Sequence, residues 1–175
     1  MKRILITALI LSTISLGLLA GTESNPKENL SPLTFMLGEW KLKWINPDGQ
    51  EAKGRASFKA EAGGTIITAR NEVLAPDGST LFSRFSVFFW DGQRNALTES
   101  YHESSGWHGS LSLAKSNGNR LLWKGTVLGP DGAEAVRNLE LVKLNANSWT
   151  AQFVEQSMNG HSQPDSPKFI FNRSP

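Results

Sequence analysis

Apolar and polar residues alternate along most of the chain after residue 37, with the period of two that is typical of half-buried β-strands. The alternation is clearest in three runs, at residues 52–60, 121–127 and 149–153. In each run one face carries small or aromatic apolar side chains, and the other face carries mostly Lys, Arg, Ser, Thr or Gln. Strands of this kind belong to an antiparallel sheet with one buried face.

Turn sequences separate these runs. Pro-Asp-Gly occurs three times, beginning at Pro47, Pro76 and Pro130; proline sets φ and glycine accepts positive φ, so each is a turn signal. With the other Gly- and Asn-rich breaks, they divide the chain into about ten hairpin-linked strands. Such a series favours closure into an up-and-down antiparallel β-barrel, which leaves no exposed sheet edge. A two-sheet sandwich would show the same alternation and stays an alternative.

The start of the chain has a different composition. Lys2 and Arg3 precede an apolar run over residues 4–20, which is the layout of a secretory signal peptide. The run is slightly shorter than the about 20 apolar residues of a membrane-spanning helix, so an uncleaved anchor is the less favoured alternative. We therefore predict a signal peptide at 1–20, a flexible leader at 21–31 and one barrel domain at 32–175 with a short N-terminal helical turn. The expected location is a bacterial periplasm or the cell exterior.

Charge and cysteine content exclude some classes of function. The chain has 18 basic and 16 acidic residues, and loss of Lys2 and Arg3 with the signal peptide leaves the mature chain neutral. A neutral chain argues against nucleic-acid binding, which depends on neutralising phosphates. The sequence has no cysteine, so the fold depends on its core rather than on disulfides, and a lipoprotein anchor is excluded.

A short motif connects the two ends of the predicted barrel. Gly38 and Trp40 stand at the start of the first strand after a helical turn, and Arg173 stands in the last strand, in "KFIFNR". This pattern resembles the glycine-x-tryptophan signature of the calycin superfamily, which includes lipocalins, fatty-acid-binding proteins and nitrobindin-like barrels. The stretch "FWDGQRNALTESYHESSGWHG" is similar to a bacterial lipocalin-like family of unknown function. The resemblance covers about residues 33–173 and implies that Trp40 closes one barrel end beneath Arg173.

Polar residues on inward faces are the candidate ligand-binding groups, because buried charges are rare unless they are paired or used. We predict that Glu99, Tyr101 and Arg137 converge in the barrel, and that Arg84 points outward. The aromatic walls of this cavity are predicted to be Phe85, Trp107, Trp123, Trp149 and Phe153. Two alternatives stay open: a neutralised internal Glu–Arg pair without a ligand, or a face assignment that is wrong by one residue.

The histidines do not make a metal site in this interpretation. A three-residue loop after Glu103 would place His102 opposite His108, whereas a two-residue loop would place Glu103 there instead; either way, two ligands fall short of the three or four that zinc needs. The nitrobindin-like proteins bind haem through a C-terminal histidine. The residues around His161 do not match that motif, so no cofactor and no metal are predicted.

No signature of a nucleotide-binding or hydrolytic enzyme occurs in the sequence. The first hypothesis is therefore a non-catalytic binder of a small apolar or amphipathic molecule, the second an interaction or structural protein with a filled barrel, and the third an enzyme acting in the cavity. A cavity above about 300 Å³ would favour the first over the second. Residues 85–90 are apolar on both faces, so another element, or the second subunit of a homodimer, is expected to cover them.

Overall fold

The computed structural model describes residues 25–45 and 51–175. The predicted signal peptide, residues 21–24 of the predicted leader and the turn at Pro47 lie outside the described residues. A short helix, α1 (Pro26–Asn29), and a 3-10 helix (Ser31–Met36) precede the sheet, and a second 3-10 turn (Ala62–Gly64) follows β2. The strands are β1 (Gly38–Ile45), β2 (Glu51–Glu61), β3 (Ile66–Leu74), β4 (Thr80–Asp91), β5 (Ala96–Glu103), β6 (His108–Asn117), β7 (Arg120–Leu128), β8 (Glu134–Asn145), β9 (Ser148–Met158), β10 (His161–Gln163) and β11 (Phe169–Arg173).

The strands close into an antiparallel barrel. Each strand from β1 to β9 pairs with the next, β9 also pairs with β11, and β11 pairs with β1. Strands β10 and β11 occupy one position, because both pair with β9, at residues 156–158 and 148–151 respectively. The predicted ten-strand barrel is therefore confirmed, and the sandwich alternative is not the structure formed.

The tenth strand is split because its middle contains two prolines, which cannot donate backbone hydrogen bonds. Two side chains of the intervening segment accept hydrogen bonds from backbone N–H groups of β9. Asp165 Oδ1 accepts from the Glu155 N–H at 2.9 Å, and Ser166 Oγ accepts from the Phe153 N–H at 2.9 Å. Glu155 has a φ of 46° at this point, so β9 is bulged where its partner strand is interrupted.

The two ends of the barrel differ. The helix end contains Gly38 and the start of β1, and the N-terminal helices pack across it with Leu33 and Met36 buried. The far end contains the end of β1, the end of β5 and the turns at Pro76 and Pro130. These two turns form as predicted: Asp77 and Asp131 each accept a backbone N–H two residues ahead, at 2.9 and 3.1 Å.

Aromatic side chains fill the interior near the helix end. The rings of Trp149 and Phe171 stack in parallel with their centroids 3.7 Å apart, and Trp40 and Phe58 meet Trp149 edge-on at 5.9 and 5.6 Å. Each such side chain contributes about 1.5–3 kcal/mol through burial. This half of the barrel is consequently a packed aromatic core.

Candidate functional site

A network of charged side chains lies inside the barrel toward the far end. Strand β5 places Glu99, Tyr101 and Glu103 on its inward face, since residues two apart in a strand share a face. Arg84 of β4 lies opposite Glu103 in the strand register, and Arg137 reaches the network from β8. Only 2% of Glu99, 0% of Tyr101 and 8% of Arg84 are exposed, so the network is shielded from solvent.

Two arginines and two glutamates make the network electrically neutral. Arg84 Nη2 donates to Glu99 Oε1 at 2.6 Å, and its Nη1 lies 3.8 Å from Glu103 Oε1. Arg137 Nη1 donates to the same Glu103 oxygen at 3.2 Å and to the Tyr101 hydroxyl oxygen at 3.3 Å. Buried ion pairs recover little more than their desolvation cost. The network therefore fixes the geometry of the interior more than it adds net stability.

Tyr101 lies beneath one of these arginines. The guanidinium carbon of Arg84 stands 3.7 Å from the centre of the Tyr101 ring. The cross-strand neighbours of Tyr101 are Ser86 and Gly109, and their small size leaves room for the ring. Burial raises the pKa of the Tyr101 hydroxyl above its usual value, against the opposing effect of the Arg84 and Arg137 charges. Burial acts to lower the pKa of Arg84. The neighbouring Glu99, Tyr101 and Glu103 have the larger combined effect, so the pKa of Arg84 is raised.

Arg137 is held by aromatic rings as well as by the network. Its guanidinium carbon lies 4.7 Å from the centre of the Trp107 ring and 5.1 Å from that of Phe153. Such cation–π contacts contribute about 0.5–2 kcal/mol each. Trp107 is partly buried against the core. This contact links the β5–β6 connection to β8 at the far end.

A cavity of about 90 Å³ lies beside the network. Its lining is mainly apolar and includes Leu42, Val73, Phe82, Phe153 and Phe169, while Arg84, Glu99, Glu103 and Asn71 supply its polar part. The volume is enough for a few water molecules, each of which needs about 10–15 Å³. It lies below the roughly 300–1,000 Å³ of pockets for drug-sized ligands, so this interior accepts only a small molecule unless side chains move.

Two acceptor atoms of residues that line the cavity have no hydrogen-bond partner among residues 25–45 and 51–175. Glu99 uses Oε1 for Arg84, but its Oε2 is buried and unpaired, and so is Oδ1 of Asn71. Asn71 lies directly opposite Arg84 in the strand register, and both Asn71 and Glu99 line the same cavity as Arg84. Trp149 also lines the cavity, and its Nε1 donor is buried and unpaired.

The residues of the glycine-x-tryptophan motif meet at the helix end. The guanidinium carbon of Arg173 lies 4.3 Å from the centre of the Trp40 ring, and its Nη1 donates to the Leu37 carbonyl at 3.0 Å. Trp40 Nε1 donates to the Met36 carbonyl at 2.6 Å. Gly38 has a φ of 118°, and a Cβ there would stand 2.8 Å from Arg173 Nη1. Glycine is therefore needed both for its backbone conformation and for the space that Arg173 occupies.

The structure brings together part of the predicted site. Glu99, Tyr101 and Arg137 meet inside the barrel as described above, yet only Glu99 of these three lines the cavity, together with the predicted wall residues Trp149 and Phe153. Trp123 points inward and is fully buried, with Phe88 edge-on at 5.7 Å. Trp107 contacts Arg137 rather than the cavity.

The predicted orientation of β4 was wrong. Phe85 lies on the outer surface and is 43% exposed, whereas Arg84 points inward. Phe85 is consequently no wall of the interior, and its predicted cover by a second subunit stays a prediction. Sequence reasoning also left Asn71 and Glu103 out of the site. Arg84 had a detectable signal, since Phe82, Phe88 and Trp90 share its parity and two inward carboxylates on β5 require a nearby cation.

The histidines are separate from the network. His102 and His108 are paired across β5 and β6, with parallel rings 5.7 Å apart, so the first of the two loop alternatives is the one formed. His161 is exposed and lies in β10. Within residues 25–45 and 51–175, no three His, Cys, Asp or Glu side chains group as a metal site requires. In the same residues, no helix is long and apolar enough to span a bilayer.

Comparisons with known proteins found no matching family model and no matching curated protein. Among solved structures, the chain is similar to a redesigned β-barrel, b11L5F_LGL, at 10% identity and a TM-score of 0.43, over 81% of this chain and 93% of that one. It is similar to the redesigned β-barrel mFAP1 bound to DFHBI at 11% identity and a TM-score of 0.42, over 79% and 95% of the two chains. A de novo designed fluorescence-activating β-barrel is matched at 14% identity and a TM-score of 0.38, over 80% and 94%.

Proposed function

We propose that the chain is an exported, calycin-like barrel that binds a small and mostly apolar molecule in its interior without chemical conversion. The observation that carries this proposal is the apolar cavity bordered by a buried, neutral network of charged groups. An apolar pocket with a few fixed polar groups is the general form of a small-molecule site. Export is supported by the signal-like pattern of residues 1–20, and calycin kinship by the contact of Arg173 with Trp40.

The competing candidate is a barrel that is complete without a ligand and acts through its surface. The cavity volume of about 90 Å³ supports this candidate, because it falls below the roughly 300 Å³ expected of a dedicated ligand pocket. The network also balances its own charges, as internal pairs with a purely structural role do. The two candidates differ in whether the interior holds another molecule.

Native mass spectrometry of the secreted protein, purified without denaturation, distinguishes them. For a ligand-binding barrel we expect a native mass that exceeds the denatured mass by one small molecule. The denatured mass also tests export, since removal of the signal peptide shortens the chain by about 20 residues. A native mass equal to the denatured mass would favour the filled barrel.

A matched pair of variants locates the bound molecule. Val73 lines the cavity, whereas Val136 is 41% exposed on the outer surface. Val73→Phe places a larger side chain in the cavity, so we expect it to abolish the excess mass. Val136→Phe adds the same atoms outside the barrel and is expected to leave the excess unchanged. Retention of the excess mass in a folded Val73→Phe protein would contradict binding in this cavity.

A further inference from the structure

The unpaired atoms of the cavity wall restrict what the cavity accepts. Glu99 is 2% exposed, and one of its carboxylate oxygens has no partner within residues 25–45 and 51–175. Asn71, which lines the same cavity, adds a second oxygen that is unpaired within the described chain. Buried polar atoms nearly always have a hydrogen-bond partner, so an exception requires an explanation. Both atoms are acceptors, and the group that satisfies them is a hydrogen-bond donor.

The net charge of the network determines whether a charged or a neutral ligand is favoured. Arg84 contacts Glu99 and Glu103, and Arg137 contacts Glu103. The two positive and two negative charges cancel, so neither a cation nor an anion would find an uncompensated partner. A charged ligand would lose its hydration in this apolar interior and would gain no ion pair in exchange, which costs free energy. A neutral ligand avoids that cost.

The volume of the cavity limits the size of the rest of the ligand. The cavity holds about 90 Å³, and its apolar wall includes Phe82, Phe153 and Phe169. Resting on the proposed small-molecule site, we infer that this barrel selects small neutral molecules that carry a hydroxyl or N–H donor on a compact apolar body, with Glu99 and Asn71 as the acceptors. The unpaired indole N–H of Trp149 could instead donate a hydrogen bond to a ligand that carries only an acceptor. A bond to a carboxylate is about twice as strong as a bond between neutral groups, which favours the donor.

The test uses four single-ring probes of similar size and measures their dissociation constants by protein-observed NMR titration. Phenol carries a neutral donor, toluene has none, benzaldehyde only accepts, and benzylammonium is a cation. We expect phenol to bind about tenfold or more tightly than the other three, which is the effect of one hydrogen bond to a charged acceptor. Equal affinity for phenol and toluene, or tighter binding of benzaldehyde or benzylammonium, would overturn the inference while leaving the binding site intact. Binding of no probe would overturn the inference and the proposed function together.

A pair of variants tests the acceptor assignment without changing the ion pairs of the network. Asn71→Leu removes one acceptor without changing any charge, and we expect it to reduce the preference for phenol over toluene severalfold while toluene still binds. Asn172→Leu is the matched control, because Asn172 is exposed on β11 and its replacement should leave the preference unchanged. An unaltered preference in the folded Asn71→Leu protein would contradict the assignment of Asn71 as an acceptor.

Discussion

Tyr101 combines complete burial with contacts to two arginines. None of its surface is exposed, its hydroxyl lies 3.3 Å from Arg137 Nη1, and Arg84 stands 3.7 Å from its ring centre. Burial disfavours the phenolate, and together with the nearby charges of Glu103 and Glu99 it outweighs the stabilisation that the two guanidinium groups give to that charge. Because Tyr101 is the single tyrosine of the chain, its ionisation can be followed in the whole protein without labelling.

We expect Tyr101 to make the folded state less stable at alkaline pH. The raised pKa means that the folded protein keeps the phenol proton at a pH where the unfolded chain, with a pKa near 10.0, has lost it. The contribution of Tyr101 is therefore fully present below pH 10 and is lost as the pH rises further. The measurements are the near-ultraviolet absorbance of tyrosinate against pH, and urea unfolding at each pH. Tyr101→Phe should show a smaller alkaline loss of stability; an equal loss, or folded-state ionisation at or below pH 10, would contradict the assignment.

Individual residues differ in how far the sequence predicts them. Glu99 and Tyr101 were placed correctly, because their parity on β5 matches that of the buried Leu97. Asn71 was not found, because a polar residue in a strand is normally assigned to the wet face. The signal was nevertheless present, since Ile67, Ala69 and Val73 share its parity on β3 and are buried. Its position opposite Arg84 follows from the pairing of β3 with β4.

The face assignment that was wrong concerns one whole strand, β4. On β4, Phe85 and Phe89 share one face with Val87, and Arg84 and Ser86 share the other with Phe88. Counting apolar residues favours the wrong face of this strand. The inward carboxylates of β5 decide the orientation, because a buried carboxylate without a cation would cost more than the exposure of one phenylalanine. The other strands with clear alternation had no such conflict, and their faces were predicted correctly.

The pairing of β4 with β5 gives a second prediction. Arg84→Met leaves Glu99 buried without its cation, and we expect a loss of about 3–5 kcal/mol in the free energy of unfolding. The double variant Arg84→Met with Glu99→Leu removes both charges, so it should be clearly more stable than Arg84→Met alone. Urea unfolding of the wild type and the variants measures the coupling.

A surface pair between β1 and β2 provides the control. Lys43 pairs with Glu51, and 42% and 40% of these two side chains are exposed. Exposed pairs contribute about 0–1 kcal/mol, so Lys43→Met should have little effect. If Arg84→Met proved as mild as Lys43→Met, the Arg84–Glu99 pair would not have the structural role assigned to it here.

Closure of the whole barrel depends on a short segment at the end of the chain. β11 has five residues and pairs with both β1 and β9. Arg173 adds further links to two other parts of the fold: its backbone N–H donates to the Asn147 carbonyl at 2.9 Å and its side chain to Leu37 at 3.0 Å. The chain has no cysteine, so these noncovalent contacts hold the seam.

Removal of residues 164–175 should therefore open the barrel rather than shorten it. The edges of β1 and β9 would lose their partner, the Trp149–Phe171 stack would disappear, and unpaired edges promote association between chains. We expect thermal unfolding to lose its single cooperative transition and size-exclusion chromatography to show larger species. Removal of residues 174 and 175 alone breaks one backbone hydrogen bond, from Ser174 to Glu39, and should leave both measurements nearly unchanged. A cooperative, monomeric protein after the longer deletion would mean that strands β1 to β10 hold the fold without the seam.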